Sequence, residues 1–459
     1  MTSSKNVTPR YVHLAFGVVF FPPAIVLFGS RWLSQVPIGP IYLYDLVLGI
    51  AATIGIFVVA TNRQVLSRRS LILASLLLVI PFLALLQLIF SGFSLMALRE
   101  FAPFLYLTFG WFVAVLYPLL PRHLATKGVM VVVVSLGLHW LWIFLLRIGA
   151  GGFLNQDLGF VVLFRRRADI DTTLVGAFAA ILLLFALKSG VATWQRVALF
   201  GGAVLVASEM MFTGTRAGHL ATVSAFLAVV LYFALVDRAK IKSRLSAVSV
   251  SSAFAAAVLV FPLLLPNFLI SHSEESSRDL LKAYRGAAVV LSSEIAPNYA
   301  LEGSRSGTAS ARINTWTHLG GWILSDTSRT LVGSGFGSGY MFESGALEKL
   351  IGSRAEDSVD RAVGPHNFLF FVAATMGVPL TVLFVALLAG GVVGCIRAVK
   401  RQEDNIYPLA LILLAGVVTA SLFGVVFEAP HGAIPLAWAL GVAMTGYVKT
   451  AQVENKELR

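Results

Sequence analysis

The chain has 459 residues, of which 57% are hydrophobic and only 13% charged, and it carries a formal net charge of +12. Soluble globular domains are about a quarter charged, so this balance excludes them and makes lipid the expected solvent, with no nucleic-acid partner. The single cysteine, Cys395, excludes an intrachain disulfide, so any extramembranous segment must hold together by packing.

The first apolar run, Tyr11 to Phe28, follows Lys5 and Arg10. It is too long for a typical leader, contains Pro22 and Pro23, and has no small-x-small cleavage site after it, so it reads as a membrane helix. Further apolar runs of about 20 residues, each enough to cross ~30 Å of hydrocarbon, predict helices near 41–60, 71–90, 101–120, 128–147, 171–187, 197–212, 217–236, 245–265, 366–388, 406–427 and 434–448. The expected fold is thus an all-α polytopic membrane protein with about twelve crossings. It divides into helices 1–9 (residues 1–265), one large loop (266–365) and helices 10–12 with a short tail (366–459).

Every second connection is short and basic: Arg63, Arg68 and Arg69; Arg122 and Lys127; Lys188 and Arg196; Arg238, Lys240, Lys242 and Arg244; Arg397, Lys400 and Arg401. Positive charge stays on the cytoplasmic side. Both termini are therefore expected in the cytoplasm and the large loop outside. On that topology the outer side holds Arg99, Arg165, Arg166, Arg167, Arg216, Arg305 and Arg312 among other arginines, but only two lysines, Lys282 and Lys349. The planar guanidinium grips phosphate through two parallel hydrogen bonds and keeps its charge when partly buried, which points to an anionic ligand such as a lipid phosphate. Interface arginines that merely snorkel to headgroups are the plainer alternative.

Thr213-Gly214-Thr215-Arg216-Ala217-Gly218 falls in the short connection before the eighth helix, where its small residues allow close approach of backbones or a ligand. In the loop, Ser277 to Leu291 reads as one helix. Ile313, Trp316, Leu319 and Ile323 fall at helical spacing on a second, whose Trp316 and Trp322 would anchor it along the outer interface with Arg312 near headgroup level. The run Gly333-Ser334-Gly335-Phe336-Gly337-Ser338-Gly339 lacks dinucleotide-fingerprint spacing. It is either a flexible turn or a place where the amides of Gly335 and Gly337 approach an oxyanion. His366 and Asn367 follow Gly364-Pro365 and open the tenth helix, setting a group with an unperturbed pKa of ~6.5 at the outer mouth of the bundle, where a general base is useful. No histidine pair has zinc-ligand spacing.

Together these motifs resemble the O-antigen ligase and polymerase superfamily: Thr213 to Gly218 before the eighth helix, Arg312-x-x-x-Trp316 in a large outer loop, the alternating glycines, and His366-Asn367. After His366-Asn367 come nine residues and Gly377, with Leu380 where the ligase pattern has a second glycine. The resemblance spans the sixth to the tenth helix. It implies a metal-independent glycosyltransferase of the bacterial inner membrane with a GT-C type of fold, without a cofactor, its active site facing the periplasm. Such an enzyme moves a glycan from undecaprenyl diphosphate onto another glycan (polymerase) or the lipid A core (ligase). Residue by residue it implies that Arg216 and Arg312 hold the diphosphate and His366 takes the acceptor's proton. Arg165, Arg166, Arg167, Arg305, Asn367, Gly335 and Gly337 complete the expected substrate contacts. The rival expectation, a transporter or flippase of lipid-linked glycans, predicts related halves and polar residues near the bilayer midplane, and the sequence has neither.

Overall fold

A computed structural model describes residues 9–33, 37–38, 41–62, 66, 68–147, 169–188, 190–213, 216–236, 245–258, 306–351, 364–401 and 404–457. Apart from a hairpin of Pro37–Ile38 with Ile41–Tyr42, these residues build only helices and their connections. In chain order the helices are α1 (Pro9–Leu33), α2 (Leu43–Thr61), α3 (Arg68–Ser91), α4 (Leu95–Leu116), α5 (Arg122–Arg147), α6 (Asp169–Leu187), α7 (Thr193–Thr213), α8 (Arg216–Val236) and α9 (Leu245–Val258). Then come α10 (Ser306–Leu324), α11 (Thr327–Val332), α12 (Tyr340–Glu343), α13 (Ala346–Ile351), α14 (Phe368–Met376), α15 (Val378–Lys400), α16 (Ile406–Phe423) and α17 (Pro430–Glu457).

Among the described residues nine helices, α1 to α6, α8, α15 and α16, are long and apolar enough to cross a membrane, which makes the protein a multi-span membrane protein. α2 and α3 turn large apolar side chains outward, with Phe57 53% and Phe82 58% exposed, as lipid-facing helices do. α17 is the opposite case. From Ala433 to Met444 every residue is buried, because α4, α15, α16 and α1 pack around it. Small residues make that possible: a Cβ on Gly441 would clash with the Gly110 carbonyl oxygen of α4, and one on Gly394 of α15 would lie only 2.5 Å from that of Ala443.

α6 and α8 run parallel, since Gly218 lies against Thr172 and Gly176 against Thr222. Of the small residues expected to permit close approach beside Arg216, Gly218 does so. α10 buries Leu319 and Ile323, but Ile313 is 40% exposed. The helix expected at 366–388 is in fact two. Gly377 breaks it with φ +87, and only glycine fits there, because a Cβ would clash with the Leu331 carbonyl oxygen. Pro379 then enters the first turn of α15, where a missing N–H costs nothing. The helix expected over 277–291 lies outside the described residues.

Candidate functional site

Four segments distant in sequence meet at the end of the bundle that carries the first turns of α4 and α6 and the last turn of α16. The first is α10. Arg312 lies on it with its side chain half-buried, and its Nη1 donates to the Phe423 carbonyl oxygen at 2.7 Å, at the end of α16. Burial pulls the guanidinium below its ordinary pKa, and the charge of Asp169 on α6 acts in the opposite sense. Arginine stays protonated regardless, so the site holds a permanent positive charge. Asp169 lies against Gly424, the residue after α16.

The second segment is the turn before α14. His366 has φ +55, a left-handed conformation unusual for a residue with a Cβ. The surrounding packing determines it. One turn along α10 from Arg312, Trp316 donates its Nε1–H to the Pro365 carbonyl oxygen at 2.8 Å and stacks on Phe370 with the rings 11° from parallel. Asn367 then caps α14, its Oδ1 accepting from the Leu369 N–H at 3.0 Å. The His366 Nδ1 is buried and has no hydrogen-bond partner among the described residues. Burial, and after it the positive charge of Arg312, hold its pKa down at about 4, so the imidazole is neutral near pH 7.

The third segment is the connection between α16 and α17, which carries Glu428. A Cβ on Gly364 would collide with Glu428 Oε2, so the carboxyl sits directly on the backbone two residues before His366. Glu428 Oε1 is buried and likewise has no hydrogen-bond partner among the described residues. Burial, with Glu100 as a second cause, raises its pKa to about 8.

The fourth is the glycine run between α11 and α12, and here the sequence expectation needs correction. It is neither a loose turn nor a cradle of free amides. Gly333, Gly335, Gly337 and Gly339 all have positive φ, folding the run into a cap whose N–H groups donate to the protein itself. Ser334 donates to the Ala374 carbonyl oxygen at 2.7 Å, Gly335 to that of Thr375 at 3.2 Å, Phe336 to Ser91 Oγ at 3.0 Å and Gly337 to Glu100 Oε2 at 2.7 Å. Gly335 and Gly337 therefore support the site and have no amide left for a ligand. Trp316 also departs from expectation, packing inward on Phe370 and Pro365 where a membrane anchor was expected. Beneath everything lies an aromatic floor, with Phe427 5.8 Å from Phe368, 5.2 Å from Phe384 and 5.8 Å from Phe104 between ring centroids.

Of the residues expected from the sequence, Arg312, His366 and Asn367 are brought together. Arg216 opens α8, two residues before Gly218, which lies against Thr172 in the first turn of α6. Arg165, Arg166, Arg167 and Arg305 lie outside the described residues. Glu100, Glu428 and Asp169 were missed, although a carboxyl in or beside an apolar segment is costly enough to be a functional signal in itself. Neither a protein-family model nor a curated protein matches the sequence.

Proposed function

We propose that the protein is a membrane glycosyltransferase of the O-antigen ligase or polymerase type, with the GT-C architecture and about twelve crossings that this implies. It would transfer a glycan from undecaprenyl diphosphate to a hydroxyl of a second glycan or of the lipid A core, at the periplasmic face of the bacterial inner membrane. The observation that carries the reading is the convergence of Arg312 and His366, 54 positions apart in the chain: Trp316, one turn along α10 from Arg312, donates to the Pro365 carbonyl oxygen immediately before His366 at 2.8 Å.

The chemistry follows from that pair. Arg312, with Arg216 from the neighbouring helix end, grips the diphosphate oxygens. His366 removes the acceptor's hydroxyl proton while that oxygen bonds to the anomeric carbon. The carbon's bond to the diphosphate oxygen breaks, and its electron pair leaves with the carrier. A pKa near 4 makes a weak base, but a diphosphate seated on Arg312 offsets the charge that depresses it, so donor binding strengthens the base. A positioned base contributes about 10²–10⁴-fold.

The test is glycan transfer by purified protein with a lipid-linked donor. His366→Ala should bind donor yet transfer at least about a hundredfold more slowly. His366→Gln, which keeps hydrogen bonding but cannot take a proton, should be equally slow. Wild-type transfer by the glutamine variant rejects the assignment of the base.

A further inference from the structure

A second polar cluster lies inside the bundle where α1, α2, α5 and α6 meet. α1 is broken at Ser30, which has φ 42 and ψ −130. A residue with a Cβ holds a positive φ only where its surroundings impose it, and here both the backbone and the side chain of the serine are tied. Its carbonyl oxygen accepts from the Tyr44 hydroxyl of α2 at 2.7 Å, and its own hydroxyl donates to Asp171 Oδ1 in the first turn of α6. On α5, the His139 Nδ1 lies 3.0 Å from the Phe28 carbonyl oxygen of α1, and its Nε2 lies 3.8 Å from the same Asp171 Oδ1. Ser30, Tyr44 and His139 are 0% exposed, whereas the Asp171 side chain is 20% exposed. His139 stands eight residues before Arg147, the last of α5, roughly 12 Å in at the helical rise. An ionisable side chain inside a membrane-spanning segment is costly enough to mark a function.

The contacts dictate where the hydrogens of the imidazole go. A carbonyl oxygen can only accept, so Nδ1 carries a hydrogen toward Phe28. A neutral imidazole has no second N–H, and its bare Nε2 would then aim a lone pair at a carboxyl oxygen. A proton on Nε2 turns that repulsion into attraction, and it gives a charge to a buried nitrogen that has no hydrogen-bond partner among the described residues.

We propose that His139 and Asp171 form a proton-binding site within the membrane domain: the imidazole takes up a proton at Nε2, and the imidazolium–carboxylate pair so formed fastens the broken end of α1 to the first turn of α6. The proton comes from water by way of Asp171, the most exposed of these four residues. The other ionisable groups nearby are committed elsewhere or lie on the far side of a helix. On α2, the Tyr44 hydroxyl is held by Ser30, and Asp45 accepts from the Tyr106 hydroxyl at 2.7 Å. α16, which also packs on α5, has Tyr407 as its one ionisable residue, bonded to Thr445 at the end opposite Phe423. Arg31 follows Ser30 in α1, and Arg147 closes α5. Asp169 precedes Asp171 by two positions, which puts it on the opposite face of α6, against Gly424. α6 thus presents one carboxylate to the proton site and another toward Arg312, so proton uptake at His139 steadies the helix end that borders the candidate site. The inference stands whether or not the protein is a transferase.

Nitrogen-15 spectra of the histidine rings in the full-length protein, held in lipid nanodiscs, test this directly. At neutral pH the His139 ring should show two protonated nitrogens. In Asp171→Asn, which removes the counter-charge, it should show one protonated and one bare. The ring is assigned by its loss in His139→Gln, or in His139→Lys where the glutamine variant does not fold. Melting temperatures give a second reading. His139→Gln and Asp171→Asn should each lower the melting temperature, and the double variant should lower it no further than the more damaging single one, because both remove one shared interaction. His139→Lys keeps a cation for Asp171 and should recover part of the loss seen with glutamine, which a histidine that only fills space would not allow. A His139 ring with one bare nitrogen in the wild type at neutral pH, or losses that simply add in the double variant, overturns the proposal. Neither result bears on the transferase reading, which rests on Arg312 and His366.

Discussion

The Trp316 indole N–H donates to the Pro365 carbonyl oxygen at 2.8 Å, so the helix that carries Arg312 also holds the backbone immediately before His366. The cation and the imidazole are thereby positioned by one helix. Trp316→Phe keeps an aromatic ring over Phe370 but leaves a buried carbonyl oxygen without its donor, a loss of roughly 1–3 kcal/mol. The variant should unfold at a lower temperature by fluorescence-monitored melting and transfer glycan more slowly at saturating donor. An unchanged kcat would show that this clamp does not determine where His366 sits.

The glycine run offers a comparison within one loop. Gly337→Ala and Gly339→Ala both impose a left-handed conformation on a residue with a Cβ, at about 1–2 kcal/mol. At Gly339 the added atom meets open space, whereas at Gly337 it comes 2.8 Å from Ser94 Oγ and 3.1 Å from the Ala97 nitrogen, at the start of α4. Gly337→Ala should therefore lower the melting temperature clearly more than Gly339→Ala. Equal effects would mean that the run does not bear on α4.

How much of this the sequence carries depends on the range of the interaction. That the chain crosses a membrane many times is plain, because hydropathy is a property of contiguous residues, although among the described residues nine helices and not twelve are long and apolar enough to do so, and the α10 face through Leu319 and Ile323 follows from spacing alone. The break at Gly377 was missed although Gly377 followed by Pro379 is a local helix-stop signal; what no local pattern shows is the Leu331 carbonyl, 46 positions away, that leaves no room for a Cβ there. Arg312 and His366 could be singled out by residue type, yet nothing local says that Trp316 joins them. The amides of Gly335 and Gly337 looked available because their acceptors, Thr375 and Glu100, lie on other helices.

The two largely desolvated ionisable groups, Glu428 and His366, give opposite pH dependences. Glu428 has its folded pKa raised from 4.5 to about 8, so its contribution to stability is full below about 4.5 and is lost as pH rises through about 8. His366 has its folded pKa lowered from 6.5 to about 4, so its contribution is full above about 6.5 and is lost as pH falls through about 4. Glu428→Gln should then gain in melting temperature relative to the wild type as pH rises from about 5 to about 9, and His366→Gln should gain as pH falls from about 7 to about 4. A difference that stays constant with pH in either case would contradict the burial inferred for that group.

Arg312 is where geometry and charge can be separated. Arg312→Lys keeps a positive charge, but an ammonium cannot present two parallel donors to a diphosphate, nor reach the Phe423 carbonyl in the same way. If the fork matters, transfer should fall roughly ten- to a hundredfold, matching about 1.5–3 kcal/mol for one charge-assisted contact. Arg312→Gln goes further and removes the charge that helps to depress His366. Its imidazole pKa should rise above about 4, and the acid limb of the kcat/KM profile, which reports the free enzyme, should move to higher pH. The lysine variant should leave that limb near its wild-type position. A limb unmoved in Arg312→Gln would mean that the cation and the imidazole do not share one field, and the reading of them as a single site would fall.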